Sequence, residues 1–190
     1  MTEAELNGIW NYYLSLENDL AETSRYIEPA GQENVHSFEF AKLLILSCTE
    51  IESVFKMICR EIVGQQVEGN IAVYKETILT KYPNIIQATV IVNRLGRNIC
   101  PFAEWSDGRL PWWSAYQQVK HNRGNFFSEA TYLNAVSAVA ALYVLIFYLA
   151  KILEISTQKF IGNYIDSEYC YGRLLLPPGM KLPDFEVMPS

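Results

Sequence analysis

Apolar residues recur every three or four positions along most of this chain, a spacing that predicts helices. Leu6, Ile9, Trp10, Tyr13, Leu16 and Leu20 mark a first amphipathic helix within Thr2 to Tyr26, with Glu3, Glu5 and Glu17 at positions between them. Pro29, Ala30 and Gly31 interrupt it, and Asn34 or Ser37 can cap the next helix by accepting a free backbone N–H. That second helix, about Val35 to Val63, has the cleanest stripe: Ala41, Leu44, Cys48, Ile51, Phe55, Cys59 and Ile62 share one side. Gly64 ends it. Ile71, Tyr74, Ile78 and Tyr82 then predict a shorter third helix before Pro83.

Between Asn84 and Leu110 the helical period fails. A β-branched run from Ala88 to Asn93, a turn at Leu95 to Asn98 and a return from Ile99 to Trp105 predict a small β-hairpin or ordered loop inserted around residues 85–110. Pro111 suits the first position of a helix, where its missing N–H is not needed, and Gly124 permits a break after Asn122 or Arg123. On this fourth helix Trp112, Tyr116, Val119 and Arg123 follow one side, and Trp113, Gln117 and His121 the adjacent one. The aromatic side is expected to anchor the bundle.

Ser128 or Asn125 can cap the last long helix, which runs to about Ile155. Its strongest face holds Tyr132, Ala135, Val139, Leu142, Ile146, Leu149 and Leu153, yet Ala141, Val144 and Tyr148 opposite are also small or apolar. A helix apolar all round belongs at the centre of a fold. A membrane span competes with this reading, but Leu133 to Ala150 is marginal in length, contains Asn134 and Ser137, and is followed by Lys151. The predicted fold is therefore all-α, a bundle of about five helices within residues 1–165. An extended tail follows over residues 166–190, where Tyr169, Tyr171 and Leu174 to Leu176 precede several prolines.

Composition narrows the functional classes. With 50% hydrophobic and 19% charged residues, the 190-residue chain has the makeup of one ordered domain. A net charge of -6 speaks against electrostatic coating of nucleic acid, although a local basic site is compatible with it. Cys48, Cys59, Cys100 and Cys170 show no CxxC spacing and the N-terminus shows no basic-then-apolar leader, which makes the cytoplasm the expected compartment. With only His36 and His121 and scattered cysteines, no metal is expected. No glycine-rich phosphate loop or serine elbow occurs, and no cofactor is expected.

The densest chemistry lies in Trp112 to Arg123. His121 can move a proton near neutral pH, and Lys120 and Arg123 can hold a phosphate and stabilise charge as it forms. Metal-free RNA cleavage needs a base for the 2′-hydroxyl, an acid for the leaving oxygen and a cation. On the second helix Glu52 lies roughly 40° from Cys48 by helical rotation, on the apolar side, whereas Glu50 points almost the opposite way. A carboxylate turned inward needs a cation or a donor from another element.

The segment TyrGlnGlnValLysHisAsnArg at residues 116–123, the order of long helices and the Ala- and Leu-rich final helix resemble the HEPN superfamily, over roughly Glu3 to Ile155. These are all-α bundles often found in prokaryotic toxin–antitoxin, abortive-infection and other defence systems. Ribonuclease members carry Arg, a polar residue, three to five further residues and then His, with the motif helices of two subunits facing each other. His121 matches the histidine and Gln117 the polar residue, whereas Tyr116 stands where the catalytic Arg would be. The resemblance implies a homodimer with facing motif helices. Charge and proximity add the expectation of a polar cleft of Glu52, Tyr116, Gln117, Lys120, His121 and Arg123 that binds RNA or a protein partner, the same groups forming a buried polar network that fixes helix packing in the noncatalytic version. In the catalytic version the chain is a metal-independent endoribonuclease, with His121 as general acid or base, Arg123 and Lys120 on the phosphate, and Glu52 orienting the cations. A membrane-associated helical protein is the third class.

Overall fold

A computed structural model describes residues 1–156 and 183–185. The expectations for Tyr169, Tyr171 and Leu174 to Leu176 lie outside the described residues, as does the end of the tail. Among the described residues five α-helices and one small hairpin form the fold, the helices where the apolar spacing predicts them and the hairpin in the stretch around residues 85–110 where that spacing fails.

Helix α1 spans Glu3–Thr23 and opens with a reciprocal cap, in which the Thr2 hydroxyl accepts the Glu5 amide while the Glu5 carboxylate accepts the Thr2 amide. Helix α2 spans Phe38–Val63, capped by Ser37 rather than Asn34, and stops at Gly64, whose φ of 79° is readily adopted by glycine. Helix α3 spans Ile71–Lys81 behind an Asn70 cap. Strands β1, Val90–Val92, and β2, Arg97–Ile99, then pair antiparallel with Val90 opposite Ile99. Helix α4 covers Pro111–Phe126 and breaks at Asn122, whose φ of -150° and ψ of 67° are not helical.

Helix α5, Tyr132–Ile152, differs from expectation at its start. A single tight turn over Phe127–Glu129 follows α4 directly, so neither Asn125 nor Ser128 can cap. Thr131 does so, accepting the Asn134 amide at 3.1 Å. From Ala138 to Tyr148 every residue of α5 is buried, and α1, α2 and α4 pack around it. This helix is long and apolar enough to cross a membrane, yet 83% of its most apolar stretch is buried inside the fold. The central position follows from the absence of a polar face.

Backbone hydrogen bonds lace the starts of α2 and α5 together. The Ser37 amide donates to the Ala130 carbonyl at 3.3 Å, the Tyr132 amide donates to Val35 at 2.8 Å, and His36 bridges Thr131. Phe40 then meets Tyr132 with ring centroids 5.4 Å apart, and the two helices run side by side in the same direction. Helix α4 runs the opposite way along α2, with Trp113 near Phe55 and Arg123 near Phe38. The Trp112 indole donates to the Pro101 carbonyl at 2.8 Å, which ties α4 to the segment after the hairpin.

Candidate functional site

Trp112, Trp113, Ala115, Tyr116 and Val119 all turn into the core, so the aromatic side of α4 is structural. Tyr116 is wholly buried, and its ring lies 5.1 Å from that of Trp113. Only its hydroxyl has a functional outlook: it accepts a hydrogen bond from the exposed Lys120 ammonium at 2.9 Å, one turn further along the helix. That bond holds the Lys120 pKa above the usual lysine range, with a smaller contribution in the same direction from the Glu52 carboxylate. The lysine is thereby parked on α4 with its charge retained. Beneath it, complete burial pushes the Cys48 thiol well above its ordinary pKa, which removes that cysteine as a nucleophile.

Lys120 stands at one edge of an open cleft of about 730 Å³ between α2, the start of α3 and α4. Glu52 and Gln117 line it too, so three of the six residues expected at the site share one depression, and Tyr116 is joined to it through its bond to Lys120. Two further cations, Lys75 and Arg109, face the same space. Lys75 also donates to the Gly108 carbonyl at 3.4 Å, linking α3 to the turn before α4. Tyr74 and Trp113 form part of the floor, and the Tyr74 hydroxyl is buried without a hydrogen bond of ordinary geometry, with the Gly69 backbone as the donor beside it. Burial raises its pKa, and so do the Glu52 and Glu68 charges.

His121 and Arg123 are not among the residues that line this cleft. Both are exposed, and the Arg123 guanidinium sits 5.9 Å from the ring centroid of Phe38, which is itself 70% exposed. The helical break at Asn122 falls between them and redirects the last turn of α4. The expected constellation is therefore split, with Glu52, Gln117 and Lys120 in the cleft and the His–Arg pair beyond it.

Glu52 is not the inward-turned carboxylate that its angular position suggests. Its side chain is 37% exposed and its nearest cation is Lys56, 4.0 Å away on the same helix. Glu50 is the residue whose pKa is raised by burial, since it is half-buried in a groove between α1 and α2 with Ile9, Tyr12 and Met57. Sequence reasoning also missed Lys75 and Arg109. Lys75 sits on α3, well before residues 116–123 in the chain, and only the closed fold brings it to the cleft; Arg109 stands just ahead of α4, and the basic residue within Gly108-Arg109-Leu110-Pro111 was the available signal.

The arrangement offers three cations, one carboxylate and several amide and hydroxyl groups around a partly aromatic floor. It can bind an anionic group and orient it by hydrogen bonds. Among the described residues no cluster of three His, Cys, Asp or Glu side chains is placed to hold a metal ion, and Cys48, Cys59 and Cys100 are free thiols. Compared with known proteins, the chain matches no family model, no curated protein and no solved structure, so its function has to be read from these residues.

Proposed function

We propose that this chain is a noncatalytic, cytoplasmic RNA-binding domain of HEPN-like ancestry, acting as a homodimer in a prokaryotic defence or stress system. The observation that carries the binding role is the grouping of Lys75, Arg109 and Lys120 around one cleft in a protein whose net charge is -6. In an acidic chain, cations gathered on one depression favour a phosphate-bearing ligand there and disfavour it elsewhere. Gln117 and Gln118 at the cleft wall supply donors and acceptors for base edges in a single strand. Tyr116 supports the noncatalytic version, since a buried phenol cannot replace the charge of a catalytic guanidinium.

Fluorescence anisotropy with labelled single-stranded RNA in EDTA tests the reading. Binding is expected to weaken as salt rises, and Lys120→Ala should reduce the slope of log affinity against log salt by about one unit. Absence of binding at low salt would remove RNA as the ligand. Analytical ultracentrifugation without detergent checks the dimer; a monomer at all concentrations would overturn that part, and a chain that needs detergent to stay in solution would favour membrane association.

Active metal-independent ribonuclease is the second reading, favoured by an exposed His121 adjacent to Lys120. Incubating mixed RNA with the protein and with His121→Ala separates the two. Cleavage by the first and not by the second would establish the enzyme, and equal or absent cleavage would exclude it.

A further inference from the structure

Away from the cleft, the short segment Pro183–Phe185 sits at the junction of α3 and α5. Asp184 is gripped at both carboxylate oxygens: Oδ2 accepts from the Tyr148 hydroxyl at 2.8 Å, and Oδ1 accepts from the Asn84 backbone amide at 3.1 Å. The neighbouring Phe185 ring lies 5.1 Å from Tyr148 edge to face and 5.3 Å from Tyr82. Tyr82 and Tyr148 in turn meet at 5.8 Å, also edge to face. An acidic side chain and the aromatic one after it are thus read by separate features, two converging donors and a two-ring wall.

The receiving residues belong to the body of the fold. Tyr148 is on the central helix and wholly buried, Tyr82 ends α3, and Asn84 begins the tight turn of Pro83–Gln87. The segment reaches them from the far side of residues 157–182. Two hydrogen bonds and two ring contacts are a small interface, and such a contact is sustained chiefly by the effective concentration that the covalent connection provides. Burial and the Asp184 carboxylate both push the Tyr148 phenol above its usual pKa range, so it stays a proton donor at all ordinary pH values.

We infer that Tyr82, Asn84 and Tyr148 form a recognition site for a peptide bearing Asp followed by an aromatic residue, filled by the chain's own Asp184 and Phe185. A partner with the same acid-then-aromatic chemistry has to displace this internal ligand. The specificity resides in the spacing: the donors fix the carboxylate, and the next residue must supply a flat ring to the Tyr82 and Tyr148 wall. What occupies the cleft beside Lys120 has no bearing on this site.

The probe is a synthetic peptide with the sequence of residues 181–187, titrated into the full-length 15N-labelled chain while the Asn84 amide resonance is followed. In full-length Asp184→Ala/Phe185→Ala the internal ligand is removed, and the peptide should bind about tenfold or more tighter than to the unaltered chain, where it competes with a tethered copy. A peptide with alanine at both positions should shift nothing, and adding Tyr148→Phe to the double variant should weaken binding. Equal affinity for the unaltered chain and the double variant, or shifts that persist with the alanine peptide, would overturn the site. If the double variant lacks a cooperative melt, Phe185→Ala alone is titrated. The same gain relative to the unaltered chain supports the site, and no gain overturns it.

Discussion

Tyr116 and Glu50 show at the scale of single residues how burial decides chemistry. Placing arginine at position 116, as in the family's ribonucleases, would put a guanidinium where the native side chain has no solvent exposure. Tyr116→Arg is therefore expected to lower stability by about 2–4 kcal/mol in urea unfolding, without creating nuclease activity. Glu50 gives a pH test. Its folded pKa is raised by burial above the unfolded value, so the group favours folding when protonated and loses that contribution as pH rises through the folded pKa. Glu50→Gln should raise the melting temperature at neutral pH, and the advantage should vanish below about pH 4, where the carboxyl is protonated in both states. The effect is modest because the side chain is only part-buried. Both residues also mark what a sequence conveys: the departure at Tyr116 was visible in the motif, whereas angular position on α2 pointed to Glu52, because helical geometry alone does not say that a groove against α1 half-buries Glu50.

Among the helices, those with a regular apolar stripe were legible almost to their caps, and α1 and α2 begin and end within a few residues of the signals at Thr2, Ser37 and Gly64. The passage from α4 to α5 was not. Local residues there offered Asn125 and Ser128 as caps, but the chain spends Phe127–Glu129 on a tight turn so that Ala130 and Tyr132 can bond to the strand-like stretch before α2. Thr131 is the first residue free to cap. Thr131→Ala should cost about 1 kcal/mol, measurable as a lower midpoint in thermal or urea unfolding, whereas Ser128→Ala should leave the midpoint unchanged within about 0.5 kcal/mol. The break at Asn122 belongs to the same junction and turns Arg123 off the line of α4, whereas His121 lies before the break and still does not line the cleft. A periodicity count treats residues 112–123 as one straight helix, which is why the candidate site looked more unified in the sequence than it is in space.

For the whole molecule, the apolar pattern conveyed the architecture because one helix without a polar face demands to be surrounded, and α5 is surrounded. The cleft was only partly legible because its walls come from residues separated by much of the chain: Glu52 from α2, Lys75 from α3 and Lys120 from α4 meet only after the bundle closes. The lacing of His36 to Thr131 bears on assembly as well as shape. It joins positions half the chain apart, so α2 cannot settle against α5 until everything between them has been drawn into a closed loop. Bundles whose contacts are mostly between neighbours in sequence fold in microseconds to milliseconds, and this one should refold more slowly, on the order of milliseconds to seconds. Stopped-flow refolding measures that rate. If α2 and α5 pair last, Tyr132→Ala should chiefly speed unfolding, leaving the rate of collapse to the earlier-formed helices.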